Sequence, residues 1–138
     1  IGRVQLRKAQ TFLERRRAVA QRYLAAFSGL DFLRVPPSAE DHAWHLFIIR
    51  LELQKLSIGR DRFIELLQQR GIGVSVHFIP LHMMSYYRDR YGLKPEDFPQ
   101  TLKTYQSCIS LPLSASHTVE EIERVIEAVA EVGEGNHL

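Results

Sequence analysis

The sequence alternates between segments with helical spacing and short apolar segments typical of strands, and this alternation limits the possible folds most. Apolar side chains recur every three or four residues along 2–28 and again along 60–70. Between these two segments, residues 44–51 are almost continuously apolar and rich in residues that favour strands. The full order, helix–strand–helix–strand–helix–strand–helix, predicts an α/β fold with an open sheet of about three strands packed by helices. Parallel and antiparallel pairing both remain possible.

Glycines, prolines and capping residues predict where the elements end. Helix 2–28 would be about 40 Å long at 1.5 Å per residue, which is long enough to link two domains. We expect Gly29 to end it in a left-handed conformation and Gly71 to stop helix 60–70. The remaining predictions are a turn at 52–59, strands at 74–78 and 108–111, short helices at 83–91 and 98–107, a last helix capped by Thr118 and Glu121, and a frayed tail at 133–138.

The composition is that of an ordinary globular domain, and it excludes several functional classes. The 138 residues correspond to a single domain, 1–138, and the net charge of +2 does not favour a nucleic-acid-binding protein. No apolar run approaches the roughly 20 residues that span a bilayer, so we expect no membrane partner. Cys108 is the one cysteine, which excludes an internal disulfide; we expect it to be buried, and a cytoplasmic location is compatible.

The first residues have the pattern of a helix interior rather than of a helix start. The chain opens with Ile1 rather than methionine, and no capping residue or loop precedes the first helical residues. We interpret the chain as a piece of a longer protein.

The histidines are the first candidates for chemistry. A zinc site needs three or four converging ligands. His42 and His45 are three apart at the start of a predicted strand, which sends them to opposite faces, and His77 and His82 lie on either side of Pro80. We therefore expect no metal site. His77 ends a predicted strand just before a stiff turn, so it is either a functional residue that faces a cleft or a polar cap on the sheet edge.

Two further groups of residues have more than one interpretation. Residues 15–17 are all arginine, but they belong to the outward face of the first helix, so we expect a solvated face rather than a nucleic-acid contact. Tyr86, Tyr87 and Tyr91 alternate with arginines like a base-stacking strip. They equally suit a loop packed on a neighbouring domain or subunit, which we favour.

The sequence shows no self-contained catalytic motif. It has no glycine-rich phosphate loop and no Gly-x-Ser-x-Gly elbow. A Schiff-base lysine must be desolvated or lie near other cations. The lysines are Lys8, Lys55, Lys94 and Lys103, and none of them lies in an apolar segment.

A set of motifs runs in a fixed order along almost the whole chain. They are Gln5-Leu6-Arg7-Lys8, Arg15-Arg16-Arg17 with Tyr23, Ala43-Trp44-His45-Leu46-Phe47, Arg60 with Gly71-Ile72-Gly73-Val74, Val76-His77-Phe78-Ile79-Pro80-Leu81-His82, Tyr86-Tyr87, Phe98-Pro99, Ser110-Leu111-Pro112-Leu113, and Thr118 with Glu121. Together they resemble the C-terminal third of the DegT/DnrJ/EryC1/StrS family of sugar aminotransferases. The stretch from Trp44 to Arg50 is most similar to members that form 4-amino-4-deoxy-L-arabinose.

This resemblance implies the small C-terminal domain of a fold-type I enzyme that uses pyridoxal phosphate (PLP). A large domain of the same polypeptide would hold PLP and the Schiff-base lysine, so no catalytic or cofactor-binding residue is assigned to this chain. The family's strand-end histidine matches His77, which the resemblance places near the active site. His82 and Tyr86 are further expected substrate-binding residues. Phe78 stands where the family commonly has tyrosine, so we expect no hydroxyl role at that position.

The resemblance also implies a reaction and a set of partners. The parent enzyme would move an amino group from an amino acid, glutamate in our prediction, through PLP to a nucleotide-linked keto-sugar in polysaccharide, lipopolysaccharide or amino-sugar biosynthesis. It would be a cytoplasmic homodimer, and the 138 residues alone would be inactive and free of PLP. Two alternatives are a non-catalytic α/β module that binds a ligand or partner, and a basic RNA-binding module. The modest net charge argues against the second.

Overall fold

The computed structural model describes residues 1–39 and 41–138, and it confirms the α/β class with an open three-stranded sheet. Both pairings in the sheet are antiparallel, in the order β1-β2-β3. The described residues form helices α1 (Gly2–Arg7), α2 (Ala9–Phe27), α3 (Arg60–Gln69), α4 (Ser85–Tyr91), α5 (Pro99–Ser107) and α6 (Val119–Glu134), and strands β1 (Leu33–Arg34), β2 (Phe47–Leu51) and β3 (Cys108–Leu111). Single 3-10 turns lie at Leu53–Lys55, Leu81–Met83 and Pro95–Asp97.

One face of the sheet carries the hydrophobic core. Side chains alternate along β2, so Phe47, Ile49 and Leu51 are buried while Arg50 points to the opposite face. Helices α2, α3 and α6 supply the other half of the core, and the fully buried Tyr23 of α2 packs edge-on against Phe47 with ring centroids 5.1 Å apart. Burying such a side chain stabilises the fold by about 1.5–3 kcal/mol.

The last helix fits closely onto this core. Thr118 and Glu121 form the expected reciprocal cap: the Thr118 hydroxyl accepts from the Glu121 N–H at 3.2 Å, and the Glu121 carboxylate accepts from the Thr118 N–H at 2.9 Å. Gly133 lies against the ring of Phe32, where a Cβ atom would come within 2.0 Å of ring carbons. Glycine therefore allows α6 to pack directly on Phe32.

Most of the predicted element boundaries are confirmed. Helix 60–70 corresponds to α3, and Gly71 follows it in the left-handed region with φ +76°. Helices 83–91 and 98–107 and strand 108–111 correspond to α4, α5 and β3 within two residues. Pro99 occupies the first turn of α5, where its missing N–H costs nothing.

Two predictions about the first helix are wrong. The single helix 2–28 is divided at Lys8, whose N–H bonds to the Gln5 carbonyl at 2.9 Å in a tight three-residue turn. No residue of α1 is buried, so packing does not fix it in line with α2. Gly29 is not left-handed. Ser28 ends α2 with right-handed helical angles, φ −60° and ψ −26°, so this helix end does not need the positive φ that favours glycine.

Strand 74–78 is also wrong as a strand. This segment makes a single bridge to β3, between Ser75 and Ser110. Pro80 has no N–H and restricts the residue before it, so a ladder could not continue past this point in any case. Strand 44–51 begins later than predicted, at Phe47, and the two-residue β1 at the edge of the sheet was not predicted.

The tail at 133–138 is bound rather than frayed. The Asn136 side chain donates to the Val132 carbonyl at 2.8 Å, and the Leu138 N–H donates to the Lys55 carbonyl at 3.0 Å. His137 contacts Asp31 through Nε2 at 2.8 Å. These contacts join the end of the chain to the turn before β1 and to the 3-10 turn after β2.

Candidate active-site cleft

A backbone bridge places the 74–82 segment on the outer edge of β3. The Ser75 N–H donates to the Ser110 carbonyl at 3.2 Å, and the Ser110 N–H donates to the Ser75 carbonyl at 2.8 Å. Both donors and both acceptors of this pair are therefore satisfied. The bridge brings His77, two residues later, over the face of the sheet that the core helices leave free.

His77 is held on one side of its ring. Its Nδ1 lies 2.8 Å from the Ser110 hydroxyl oxygen and 3.2 Å from that of Ser75, and its ring meets the edge of the Phe78 ring with centroids 4.7 Å apart. The side chain is half-buried. Nε2, on the other side of the ring, makes no hydrogen bond to any residue that the structure describes. It is therefore the atom that a ligand can reach.

His77 lines a cavity of about 370 Å³ between the 77–80 segment and α5. Tyr105 and the buried Cys108 form part of the opposite wall, with Thr104 beside them. Burial raises the pKa of the Cys108 thiol, and the Arg60 charge only partly opposes this, so the thiol is protonated at neutral pH. Cys108 thus contributes an uncharged side chain to the cavity wall and is not an activated nucleophile.

Arg60 fixes the Tyr105 side of this cavity. Its side chain is 12% exposed, its Nη1 donates to the Tyr105 carbonyl at 3.0 Å, and its guanidinium lies 5.0 Å from the centre of the Tyr105 ring. The planar guanidinium suits both contacts at once. The cavity wall is therefore rigid on the side of α5.

The other two predicted site residues lie outside this cavity. His82 is 7% exposed, and its ring packs on Phe98 with centroids 4.5 Å apart. Its Nε2 is buried without a hydrogen-bond partner among the described residues. Tyr86, on α4, is 65% exposed. The structure thus brings His77 to the cavity and leaves His82, in the 3-10 turn Leu81–Met83, and Tyr86, on α4, in the adjoining segment.

That adjoining loop exposes an unusual amount of apolar surface. Monomeric proteins rarely leave such residues together on one surface. Residues 78–98 include Phe78, Ile79, Leu81, Met84, Tyr86, Tyr91 and Phe98, all of them more than two-fifths exposed.

The arginines of the first helix are more engaged than predicted. Arg15 donates to the Ala115 carbonyl at 3.5 Å, and Arg16 donates to the Ala43 carbonyl at 3.1 Å. Arg16 is half-buried. These contacts hold α2 to two loops, so the predicted solvated face, on which Arg15 is exposed, also has a structural role.

Sequence reasoning missed Ser110 and Ser75 as residues of the site. Ser110 is a polar residue in a strand whose four positions are all buried. A buried polar side chain in an apolar strand usually has a specific partner. That signal was present in the sequence, but the partner could not be inferred from it.

Within the described parts of the chain, no group of three or more His, Cys, Asp or Glu side chains could hold a metal ion. The lysines lie at the surface, and the amine of Lys55 pairs with the Asp31 carboxylate at 2.5 Å. No lysine is among the residues that line the cavity beside His77. No described helix is long and apolar enough to cross a membrane.

The chain matches a known protein family over most of its length. The model of the DegT/DnrJ/EryC1/StrS aminotransferase family matches residues 1–130. An uncharacterized protein of Methanocaldococcus jannaschii, MJ1066, is 39% identical over 96% of this chain and 35% of its own length. The spore coat polysaccharide biosynthesis protein SpsC of Bacillus subtilis is 36% identical over 98% of this chain and 36% of its own length. The chain therefore spans about a third of the length of these relatives.

A solved structure shows the same architecture. Spr1654 of Streptococcus pneumoniae, a candidate sugar aminotransferase, superimposes in its PLP-form with a TM-score of 0.88. The alignment covers 97% of this chain and 34% of that protein, at 29% sequence identity.

Proposed function

The chain belongs to the DegT/DnrJ/EryC1/StrS aminotransferase family, and on that premise we propose that it is the small C-terminal domain of a PLP-dependent sugar aminotransferase. The enzyme transfers an amino group from an amino acid, glutamate in our proposal, to a nucleotide-linked keto-sugar. The reaction belongs to polysaccharide, lipopolysaccharide or amino-sugar biosynthesis.

The family match over residues 1–130 carries this proposal. Fold alone would not support a reaction, because one fold hosts many functions. Here the fold and the sequence agree: Spr1654 in its PLP-form shares the architecture, and SpsC is named for polysaccharide biosynthesis.

PLP forms a Schiff base with a lysine amine in such enzymes. No lysine faces the cavity beside His77, and the amine of Lys55 is paired at the surface. In our proposal a large domain of the same polypeptide holds the cofactor, and this chain forms one wall of the cleft. PLP, when bound, supplies an electron sink for amino transfer.

The chain contributes to the cleft by binding and orienting the substrate. His77 offers Nε2 across the cavity, where an imidazole can bind an oxygen of the sugar or of the amino-acid donor. His82 has a buried Nε2 that lacks a partner in the described chain, and Tyr86, four residues later, is 65% exposed. We propose all three as substrate-binding residues.

The apolar loop at 78–98 supports the large domain as the partner. Phe78 is 73% exposed and Leu81 is 57% exposed, and burying them would stabilise an interface. Position 78 holds phenylalanine, so its contribution is apolar contact. We further propose that the enzyme is a cytoplasmic homodimer.

The test is amino transfer by the natural polypeptide that contains this chain and its large domain. The protein is incubated with PLP, glutamate and a panel of nucleotide-linked keto-sugars, and 2-oxoglutarate and amino-sugar are measured. The 138-residue chain under the same conditions is the control and should give neither product. Amino transfer to simple 2-oxo acids but to no keto-sugar would exclude the proposed substrate class, and failure to bind PLP would exclude the enzyme class.

His77→Ala in the same polypeptide tests the role of the cleft histidine. We expect kcat/KM to fall about tenfold or more, since a positioned hydrogen bond is lost. The polypeptide should still fold because the side chain is only half-buried, with a modest fall in melting temperature because the Ser110 hydroxyl loses its partner. His45→Ala, at an exposed position away from the cavity, is the matched control. A lowered melting temperature with unchanged kinetics would mean that His77 is a structural residue.

A further inference from the structure

We infer that Ser110 is a positioning residue that keeps the proton of neutral His77 on Nε2, so that the imidazole presents an N–H donor to the cleft. Neutral imidazole has one donor nitrogen and one acceptor nitrogen, and the hydrogen bond at one nitrogen decides the role of the other. The inference therefore depends on which atom donates in the contact between Ser110 and His77.

The burial of Ser110 decides the direction of that hydrogen bond. Ser110 is 4% exposed, and its hydroxyl has one hydrogen-bond partner in the described chain, His77 Nδ1 at 2.8 Å. A buried O–H that donates to nothing costs about 1–3 kcal/mol. The Ser110 hydroxyl therefore donates to Nδ1, because Nδ1 is the available acceptor, and the His77 proton lies on Nε2.

Ser75 has no equivalent influence. Its hydroxyl lies at 3.2 Å from the same Nδ1, near the long end of hydrogen-bond distances, and the residue is exposed. Water can satisfy an exposed hydroxyl in either orientation. The buried Ser110 thus sets the tautomer, and Ser75 provides the matched control.

The backbone makes this arrangement rigid. Ser75 and Ser110 exchange two hydrogen bonds, of 3.2 Å and 2.8 Å, so the strand edge fixes the separation between Ser110 and the segment that carries His77. The Phe78 ring also contacts the imidazole edge-on. These contacts therefore hold the imidazole, and with it the Nε2–H donor, in one orientation. Binding sites require rigid support of this kind.

The donor on Nε2 selects for an oxygen acceptor in the cavity. A keto, hydroxyl or carboxylate oxygen can accept from it, whereas an ammonium group cannot. This consequence for the ligand rests on the proposed function; the tautomer itself does not.

The first experiment measures the tautomer directly in the 138-residue chain. With ¹⁵N-labelled histidine, long-range ¹H–¹⁵N correlation spectra assign the protonated nitrogen of His77 at a pH where its ring is neutral. We expect the proton on Nε2 and an Nδ1 resonance displaced by hydrogen bonding. A proton on Nδ1 would overturn the inference, and the measurement needs no variant and no catalytic activity.

Variants then test whether Ser110 is the cause. Ser110→Ala should return the Nδ1 resonance to the position of an acceptor without a partner and should increase the motion of the ring. Ser75→Ala should leave both nearly unchanged. The reverse pattern would assign the role to Ser75 and overturn the inference.

A double-mutant cycle in the natural polypeptide tests whether Ser110 acts through His77. We expect Ser110→Ala to lower kcat/KM about fivefold, the size of one hydrogen bond, and to have no further effect in a His77→Ala background. An equal loss in both backgrounds would mean that Ser110 acts on the fold rather than on the histidine. If the polypeptide lacks aminotransferase activity, the proposed function fails, and the spectra still decide the tautomer.

Discussion

The two faces of the sheet differ in how completely other residues of this chain cover their apolar side chains and pair their polar atoms. On the face with α2, α3 and α6, Phe47 and Ile49 are fully buried and the Tyr23 hydroxyl donates to the Pro112 carbonyl at 2.8 Å. On the face with the 74–98 segment, apolar side chains are exposed, and neither His77 Nε2 nor His82 Nε2 has a hydrogen-bond partner among the described residues. The first face provides stability and the second is arranged for contact with other groups. Substitutions should therefore lower the free energy of unfolding on the first face, and leave it unchanged or raise it on the second.

The largest expected effect compares one phenylalanine from each face. Phe47→Ala should lower the free energy of unfolding by about 3–5 kcal/mol, because it removes a fully buried ring from the core. Phe78→Ala should change it by less than about 0.5 kcal/mol, since that ring is 73% exposed. Urea unfolding of the two variants measures both values, and similar losses would show that the exposed face also stabilises the chain.

A smaller effect of the opposite sign is expected at His82. Its buried Nε2 lacks a partner, and its ring packs on Phe98. His82→Phe keeps an aromatic ring and removes the unsatisfied atom, so it should raise the free energy of unfolding of the 138-residue chain by about 1 kcal/mol. His45→Phe at an exposed position is the control. In the natural polypeptide the gain should disappear if a large domain or a substrate binds Nε2; a persisting gain would contradict that role.

The N-terminal cap of α6 stabilises a helix that packs on the core face of the sheet. Thr118→Ala should cost about 1 kcal/mol, because it removes the acceptor of the Glu121 N–H. Thr118→Ser keeps the hydroxyl and should lose much less. Thermal unfolding of the two variants provides the comparison, and equal losses would mean that the methyl group rather than the cap is responsible.

The smallest expected effect is a pH dependence of the contacts that hold the C-terminal tail. The Asp31 carboxylate raises the pKa of His137, and hydrogen bonds from Lys55 and His137 lower the pKa of Asp31. The His137 contribution is thus fully present below the ordinary histidine pKa of about 6.5 and is lost as the pH rises through the raised value. The Asp31 contribution is present above its ordinary pKa and is lost as the pH falls through the lowered value.

Hydrogen exchange at the tail measures this dependence. The protection of the Leu138 and Ser57 amides, which bond to Lys55 and Asn136, should be greatest in mildly acidic solution. His137→Ala should remove the decline at higher pH, and the amides of β2 serve as an internal control. A decline that survives the substitution would assign it to another group.

The sequence predicted the stabilised face better than the cleft. Periodicity and caps follow from local chemistry, which is why α3, α6 and β3 were located within a few residues. The two-residue β1 carries too little pattern to detect, and the single Ser75 bridge resembles a strand because alternation cannot report how many rungs are formed. Local spacing likewise does not reveal that Asp31 and His137, far apart in the chain, meet and hold the tail.

The cleft depended on tertiary contacts that spacing does not contain. His77 is a candidate because of its position before Pro80 and the family resemblance, and the structure places it on the lining of a cavity. Ser110 was not identified, because its partner lies 33 residues away in the chain. The roles of His77, His82 and Tyr86 toward a substrate remain predictions for the kinetic tests above.

The bridge between Ser75 and Ser110 has a consequence for the behaviour of the chain in concentrated solution. Exposed strand edges with free N–H and C=O groups recruit strands from other molecules and promote aggregation. Here β1, at one edge, offers two residues, while the outer side of β3 is already occupied at its centre by Ser75. Neither border offers a long template for another copy, so self-association through the sheet is disfavoured even where the apolar loop is uncovered.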